Sequence, residues 1–169
     1  SRFGVPTRIA RLRSADFLDP VLLSTENFAV DFALCPEQEI TDYIAKLVEY
    51  PEALQVVEFA EGRLVMVGVR AYEGGLLVGK PIRAMRGHLP AGVDARIAAI
   101  FRDTRAVDVN GDTVVHAGDE VFLLAASEHI RTVLKELRRM QKPVRKLMIA
   151  GAGNVGARVA RRLEGQCEV

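Results

Sequence analysis

Three glycines, Gly151, Gly153 and Gly156, stand at G-x-G-x-x-G spacing near one end of a 169-residue chain. The apolar run Lys146-Leu147-Met148-Ile149-Ala150 precedes them, and a helical pattern ending near Glu164 follows. Strand, glycine turn and helix in this order are the context in which the motif holds a pyrophosphate. Gly151 permits a tight turn, Gly153 lets a phosphate approach the backbone, and Gly156 lets helix and strand pack closely. The first helical amides, at Asn154, Val155 and Gly156, offer donors and a partial positive charge to an anion. The alternative is a purely structural strand-to-helix turn. The acidic residue that would hold a ribose lies about 20 residues beyond such glycines. Only thirteen residues follow Gly156 here, so the site as written is incomplete and weak nucleotide binding is expected of this chain.

No other group of residues composes a catalytic constellation. His88, His116 and His129 show no HxxxH or HxH spacing, which favours surface or capping roles over metal ligation. Asp103, Asp108, Asp112 and Asp119 flank Asn110-Gly111 and Gly118, so turn chemistry explains them better than a cation does. No serine sits in a G-x-S-x-G elbow. Cys35 and Cys167 stand alone and read as reduced thiols in a cytosolic chain. Arg8, Arg11 and Arg13 alternate along the first strand-like run, where rim salt bridges are their expected use.

The elements that must position the loop follow from periodicity. Thr7–Leu12 and Val30–Leu34 read as short strands, with a helical Val21-Leu22-Leu23 between them. Pro36 through Tyr50 reads as a helix. Ile40, Tyr43, Ile44, Leu47 and Val48 form its apolar stripe, Pro36 opens it, Glu37 and Glu39 favour its positive end, and Pro51 stops it. Leu54–Ala60 and Arg63–Tyr72 read as a hairpin turning at Glu61-Gly62. A short helix between Gly79 and Gly87 follows, then strands at Ala95–Arg102 and Asp119–Ala126. Ser127 is expected to cap a helix presenting Ile130, Val133, Leu134 and Leu137. Lys142-Pro143 marks a boundary before the glycine loop.

Composition is that of an ordinary globular chain, 49% apolar and 27% charged, with a net charge of +1 that argues against nucleic-acid binding by bulk electrostatics. Residues 14–73 nevertheless hold twelve acids against three bases, and residues 131–163 ten bases against one acid. The two stretches can attract each other or simply be solvated faces. No apolar run approaches the ~20 residues of a membrane-spanning helix.

Four stretches carry a resemblance: Arg8-Ile9-Ala10-Arg11-Leu12-Arg13-Ser14, Tyr50-Pro51-Glu52-Ala53-Leu54-Gln55-Val56-Val57, Ala117-Gly118-Asp119-Glu120-Val121-Phe122, and the glycine loop from Gly151. Together, and in this order, they resemble the TrkA-type peripheral subunits of bacterial Trk potassium uptake, within the regulator-of-potassium-conductance family. The resemblance runs along almost the whole chain and makes it an internal fragment of a longer protein. It implies an α+β fold: a small regulatory domain with a mainly antiparallel sheet and helices on one side, flanked by partial Rossmann α/β elements. On that plan residues 1–35 are the tail of a first Rossmann nucleotide domain, 36–51 a crossover helix, 52–141 the small regulatory domain, and 144–169 the start of a second Rossmann domain. It further implies NAD(H) or ATP/ADP as nucleotides of the full-length protein, assembly as a homo-oligomer (dimer or tetramer), and a membrane potassium channel subunit as partner. The expected location is cytoplasmic, on the inner face of the plasma membrane. The implied role is nucleotide-dependent gating of potassium uptake, without catalysis. The rivals are a fragment of a nicotinamide-dependent oxidoreductase and a free-standing small-ligand-binding module.

Overall fold

The computed structural model describes residues 4–51, 53–137, 144–151 and 153–169. The expected boundary at Lys142-Pro143 and loop residue Ala152 lie outside the described residues. The chain divides into two units, one formed by Ser1–Val48 with Val144–Val169 and the other by Glu49–Pro143.

In the first unit, β1 (Ile9–Arg11) and β2 (Phe32–Leu34) pair in parallel, Ala10 opposite Ala33. A 3-10 turn at Ala15–Leu18 and the short helix α1 (Pro20–Leu23) carry the chain between them. Asp19 caps α1 by accepting the Val21 N–H at 2.8 Å, and Pro20 supplies a fixed φ at the first helical position. Arg8 grips Asp31 with its backbone N–H at 2.7 Å and its guanidinium at 3.0 and 3.1 Å, the rim salt bridge expected of this strand. Hydrogen bonding to the guanidinium holds the Asp31 carboxyl below the usual carboxylate range.

The helix expected over 36–50 is present as α2 (Pro36–Glu49), but it buries a different face. Thr41 and Ala45 are its buried residues, with Ile44 and Val48 packed alongside, whereas Ile40 and Tyr43 are exposed. The apolar stripe is wider than the face that finds partners. Ala45 shares a small core with Val159, Leu163 and Cys167, and a small side chain there lets two helices approach. Thr41 satisfies its hydroxyl on the Glu37 carbonyl at 2.7 Å, so its burial leaves no polar group stranded.

The second unit is built on a five-stranded antiparallel sheet in the order β3-β4-β7-β5-β6. Its strands are β3 (Ala53–Phe59), β4 (Leu64–Arg70), β5 (Ala95–Arg102), β6 (Arg105–Val107) and β7 (Glu120–Ala126). The β3–β4 hairpin turns through Ala60, Glu61 and Gly62, all at positive φ, at the position expected from the sequence. Alternation along the strands puts Val56, Val67, Val121, Leu123 and Ile100 on the inner face, all buried. Between β4 and β5 the short helix α3 (Met85–His88), entered through a 3-10 turn at Ile82–Ala84, buries Met85. It runs through Gly87 and ends at His88, with Leu89 at its C-terminal cap, one residue later than the expected glycine stop. Helix α4 (Ile130–Leu134) buries Ile130, Val133 and Leu134 against β7.

Ser127 does not cap α4. His129 occupies the cap position without a side-chain bond, and the Ser127 hydroxyl instead donates to the Gly62 carbonyl, tying the hairpin turn to the end of β7. The 146–150 run forms no strand among the described residues. It makes one parallel bridge, Lys146 to Glu168, because a strand needs a neighbour along its length and Glu168 alone does not supply one.

Candidate functional site

Helix α5 (Asn154–Leu163) begins after its cap residue, Gly153. Gly151 has φ +109°, in the region L side chains rarely adopt, so the turn there asks for glycine. A Cβ on Gly153 would meet nothing within 4 Å, which leaves the backbone open to a ligand. A Cβ on Gly156 would collide with the Gly151 carbonyl oxygen and lie 3.3 Å from Ile149 Cγ2. The three positions thus match the three separate demands the spacing makes: turn, open backbone, close packing.

Several features hold the loop in place. Leu147 N–H donates to the Glu168 carbonyl at 2.8 Å and Glu168 N–H to the Arg145 carbonyl at 2.9 Å, so the segment entering the loop runs parallel to the chain leaving α5. Val159 and Leu163 pin α5 by burial, and Ala157 N–H closes its first turn on the Gly153 carbonyl at 2.9 Å. The amides of Asn154, Val155 and Gly156 are first-turn donors that no carbonyl within the helix can accept. Arg158, Arg161 and Arg162 are the charged residues of the helix, and Arg158 reaches Gln38 at 3.2 Å. Beside the loop lies an open apolar cleft lined by Leu147, Ile149, Gly151, Gly156, Ala157 and Ala160. The arrangement offers amide donors and open backbone to a phosphate. None of these lining residues is an acid, base or nucleophile.

The remaining sequence candidates are structural. Asp119 is buried at 1% exposure, and its carboxylate accepts two bonds from Arg102, at 2.8 and 2.9 Å, and one from the His116 N–H at 2.8 Å. Burial works against its charged form, but Arg102 and the His116 amide together outweigh it and hold the carboxyl below its usual range. Asp112 pairs with Arg83. Among the described residues no three His, Cys, Asp or Glu side chains form a metal-holding group. Cys35 and Cys167 are buried free thiols.

His88 differs from its expected surface or capping role. Its Nδ1 lies 2.7 Å from Oε2 of Glu136, a carboxylate that is 1% exposed, and its Nε2 lies 3.5 Å from Lys80 Nζ. The two partners are 48 residues apart, so no local pattern could have announced the pair. Among the described residues of the opposed charge blocks, Arg131 and Glu49 stand 3.7 Å apart with both side chains about half exposed, the weak kind of contact that solvent screens.

Residues 66–138 match the TrkA-C domain. The chain is 48% identical to the Trk system potassium uptake protein TrkA of Vibrio alginolyticus over 164 residues, covering 96% of this chain and 36% of that protein. It is 44% identical to the protein of the same name from Haemophilus influenzae, over 99% of this chain and 37% of that protein. The chain therefore spans little more than a third of the length of the curated relatives it matches. Among solved structures, the GsuK RCK domain superposes with a TM-score of 0.53 at 16% identity, over 99% of this chain and 35% of that one. The GsuK channel bound to NAD gives 0.52 at 16% identity, over 98% of this chain and 29% of that one. At these identities the likeness to the structures is one of fold.

Proposed function

From a chain that matches the TrkA-C domain and is similar to TrkA potassium uptake proteins along nearly its whole length, we propose that the parent protein is a nucleotide-sensing regulator of potassium uptake and not an enzyme. In this reading residues 1–35 close a first Rossmann domain, 36–51 form the crossover helix, 52–141 the regulatory domain and 144–169 open a second Rossmann domain. The parallel β1–β2 pair and the parallel Lys146–Glu168 bridge support the two Rossmann assignments. Gly151, Gly153, Asn154, Val155 and Gly156 hold the phosphates of NAD(H) or an adenine nucleotide. The observation that carries this is the lack of room for a Cβ at Gly156 beside open space at Gly153. The GsuK channel bound to NAD lends support through its shared fold alone.

The partner is a membrane potassium channel subunit, engaged from the cytoplasmic side by a homo-oligomer. No helix among the described residues is long and apolar enough to cross a membrane. Nucleotide binding biases the channel through contacts that differ between two arrangements of the regulator.

A binding measurement tests the site. This 169-residue chain has the loop without an acid at the ribose distance, so calorimetry with NADH or ATP is expected to give dissociation constants weaker than about 100 µM. The full-length protein is expected to bind one of them at least tenfold more tightly. Micromolar affinity of the 169-residue chain would contradict the assignment of the missing ribose contact.

A further inference from the structure

Three side chains of the second unit form a row of contacts that the glycine loop does not use. His88 ends α3, with its Nδ1 2.7 Å from Oε2 of Glu136, just past α4, and its Nε2 3.5 Å from Nζ of Lys80. Glu136 is 1% exposed, the His88 side chain is 22% exposed and Lys80 is exposed, so the row runs from the interior to the surface. The backbone fixes the lysine. Its N–H donates to the Leu77 carbonyl at 2.9 Å and its carbonyl accepts the Val115 N–H at 3.2 Å, while Leu77 N–H donates to the Glu136 carbonyl at 2.7 Å.

The two side-chain contacts decide where the protons sit. A lysine ammonium can only donate, so Nε2 accepts from it and the ring proton is on Nδ1, donating to the Glu136 carboxylate. An imidazolium would instead point a second N–H at the ammonium. The row is therefore carboxylate, neutral imidazole, ammonium. Passing one proton from Nζ to Nε2 leaves an imidazolium against the buried carboxylate and a neutral amine at the surface, with total charge unchanged. A base held by a third group beside a nucleophile is the arrangement that activates the nucleophile.

We propose that Lys80 is a site of covalent acylation, with His88 as its general base, Glu136 holding the ring, and an anionic acyl phosphate as donor. The Nζ lone pair bonds to the acyl carbon, and the C–O bond to phosphate breaks with its electron pair going to the phosphate. Of the two protons the nitrogen loses, one passes to His88 Nε2 and then to water, and the other leaves on the phosphate. Nothing is oxidised or reduced. The amide stays on Lys80, so the reaction is stoichiometric and compatible with a regulator that is not an enzyme. The proposal is independent of potassium and nucleotide.

Charge selects the donor. Residues 74–93 hold Lys80, Arg83, Arg86 and His88 and no acid. Arg83 is paired with Asp112, whereas Arg86 is exposed. A dianionic acyl phosphate is drawn to such a stretch, and a neutral ester is not. Acylation would remove the ammonium and its contact with Nε2.

The 169-residue chain incubated with acetyl phosphate, followed by peptide mass spectrometry, gives an initial acetylation rate for each lysine. Lys80 is expected to react faster than Lys46, Lys135, Lys142 and Lys146 by about tenfold or more. His88→Asn retains an amide donor for Glu136 and lacks the base at Nε2. In that variant, folded by circular dichroism, the Lys80 rate should fall to that of the other lysines while theirs stay unchanged. Neutral p-nitrophenyl acetate decides the matter where His88→Asn fails to fold. Assistance by His88 does not depend on the charge of the donor, so wild-type Lys80 should remain the fastest lysine with it. A Lys80 that reacts no faster than the other lysines overturns the proposal. So does a folded His88→Asn that is acetylated at Lys80 as fast as the wild type. An advantage confined to acetyl phosphate overturns the role of His88, because the basic neighbours alone would then select the residue.

Discussion

Asp119→Ala is expected to lower the stability of the second unit by about 2–4 kcal/mol, read as a fall in melting temperature on the order of 15 °C. The carboxylate is 1% exposed and accepts three bonds, two from Arg102 and one from the His116 amide. Arg102 is 36% exposed at its side chain and can turn to water when its partner is lost, which keeps the loss below that of a fully buried pair. The pH dependence has a fixed sign. The folded-state pKa of Asp119 lies below its ordinary value of 3.8, so its contribution is fully present above about pH 4 and disappears as pH falls through the lower, folded value. The stability gap between wild type and Asp119→Asn should accordingly narrow in acid. A gap unchanged between about pH 6 and pH 2.5 would show that the carboxylate's charge is not what stabilises this turn.

Gly75→Ala is expected to be comparably damaging, at about 3 kcal/mol. The reason is contact and not backbone conformation. A Cβ there would overlap the Leu137 carbonyl carbon and oxygen and come 2.8 Å from the Glu136 carbonyl oxygen, and all three are main-chain atoms with no rotamer to change. The same approach is bound by hydrogen bonds, Tyr72 N–H to the Leu137 carbonyl at 2.9 Å and Leu77 N–H to the Glu136 carbonyl at 2.7 Å. Forcing the two segments apart also strains the His88–Glu136 contact, since Glu136 lies on the displaced side. Gly79→Ala serves as a comparison. Its Cβ would meet nothing within 4 Å, so its cost is limited to its positive φ of 81°. Denaturant unfolding of both should show the larger loss at Gly75. A smaller loss at Gly75 than at Gly79 would mean the segments are not in such close contact.

The sheet of the second unit was legible because its strands alternate and its turns carry their own signals: Glu61-Gly62 marks the hairpin and Asn110-Gly111 the bend before β7. The face α2 buries was not. Its stripe of five apolar residues is broader than a helix contact, and which edge is used depends on where Leu163 and Val159 lie, more than a hundred residues away. Ser127 looked like a cap because serine before an apolar period usually is one, yet its hydroxyl is taken by Gly62, a tertiary partner that spacing cannot reveal. The apolar 146–150 run has strand composition and, among the described residues, makes only the Lys146–Glu168 bridge. Of the candidate site, the glycines were readable because each has a local reason. The ribose contact was not, since its expected position lies past Val169. His88 and Glu136 meet only through the fold.

Potassium flux through the parent protein's channel complex, measured while NADH or ATP is titrated, tests the central reading most directly. The expected result is a flux that changes with nucleotide for the wild type and does not change for Gly156→Val, whose side chain would strike the Gly151 carbonyl. A flux indifferent to both nucleotides, or steady oxidation or reduction of the nicotinamide by the full-length protein, would contradict it.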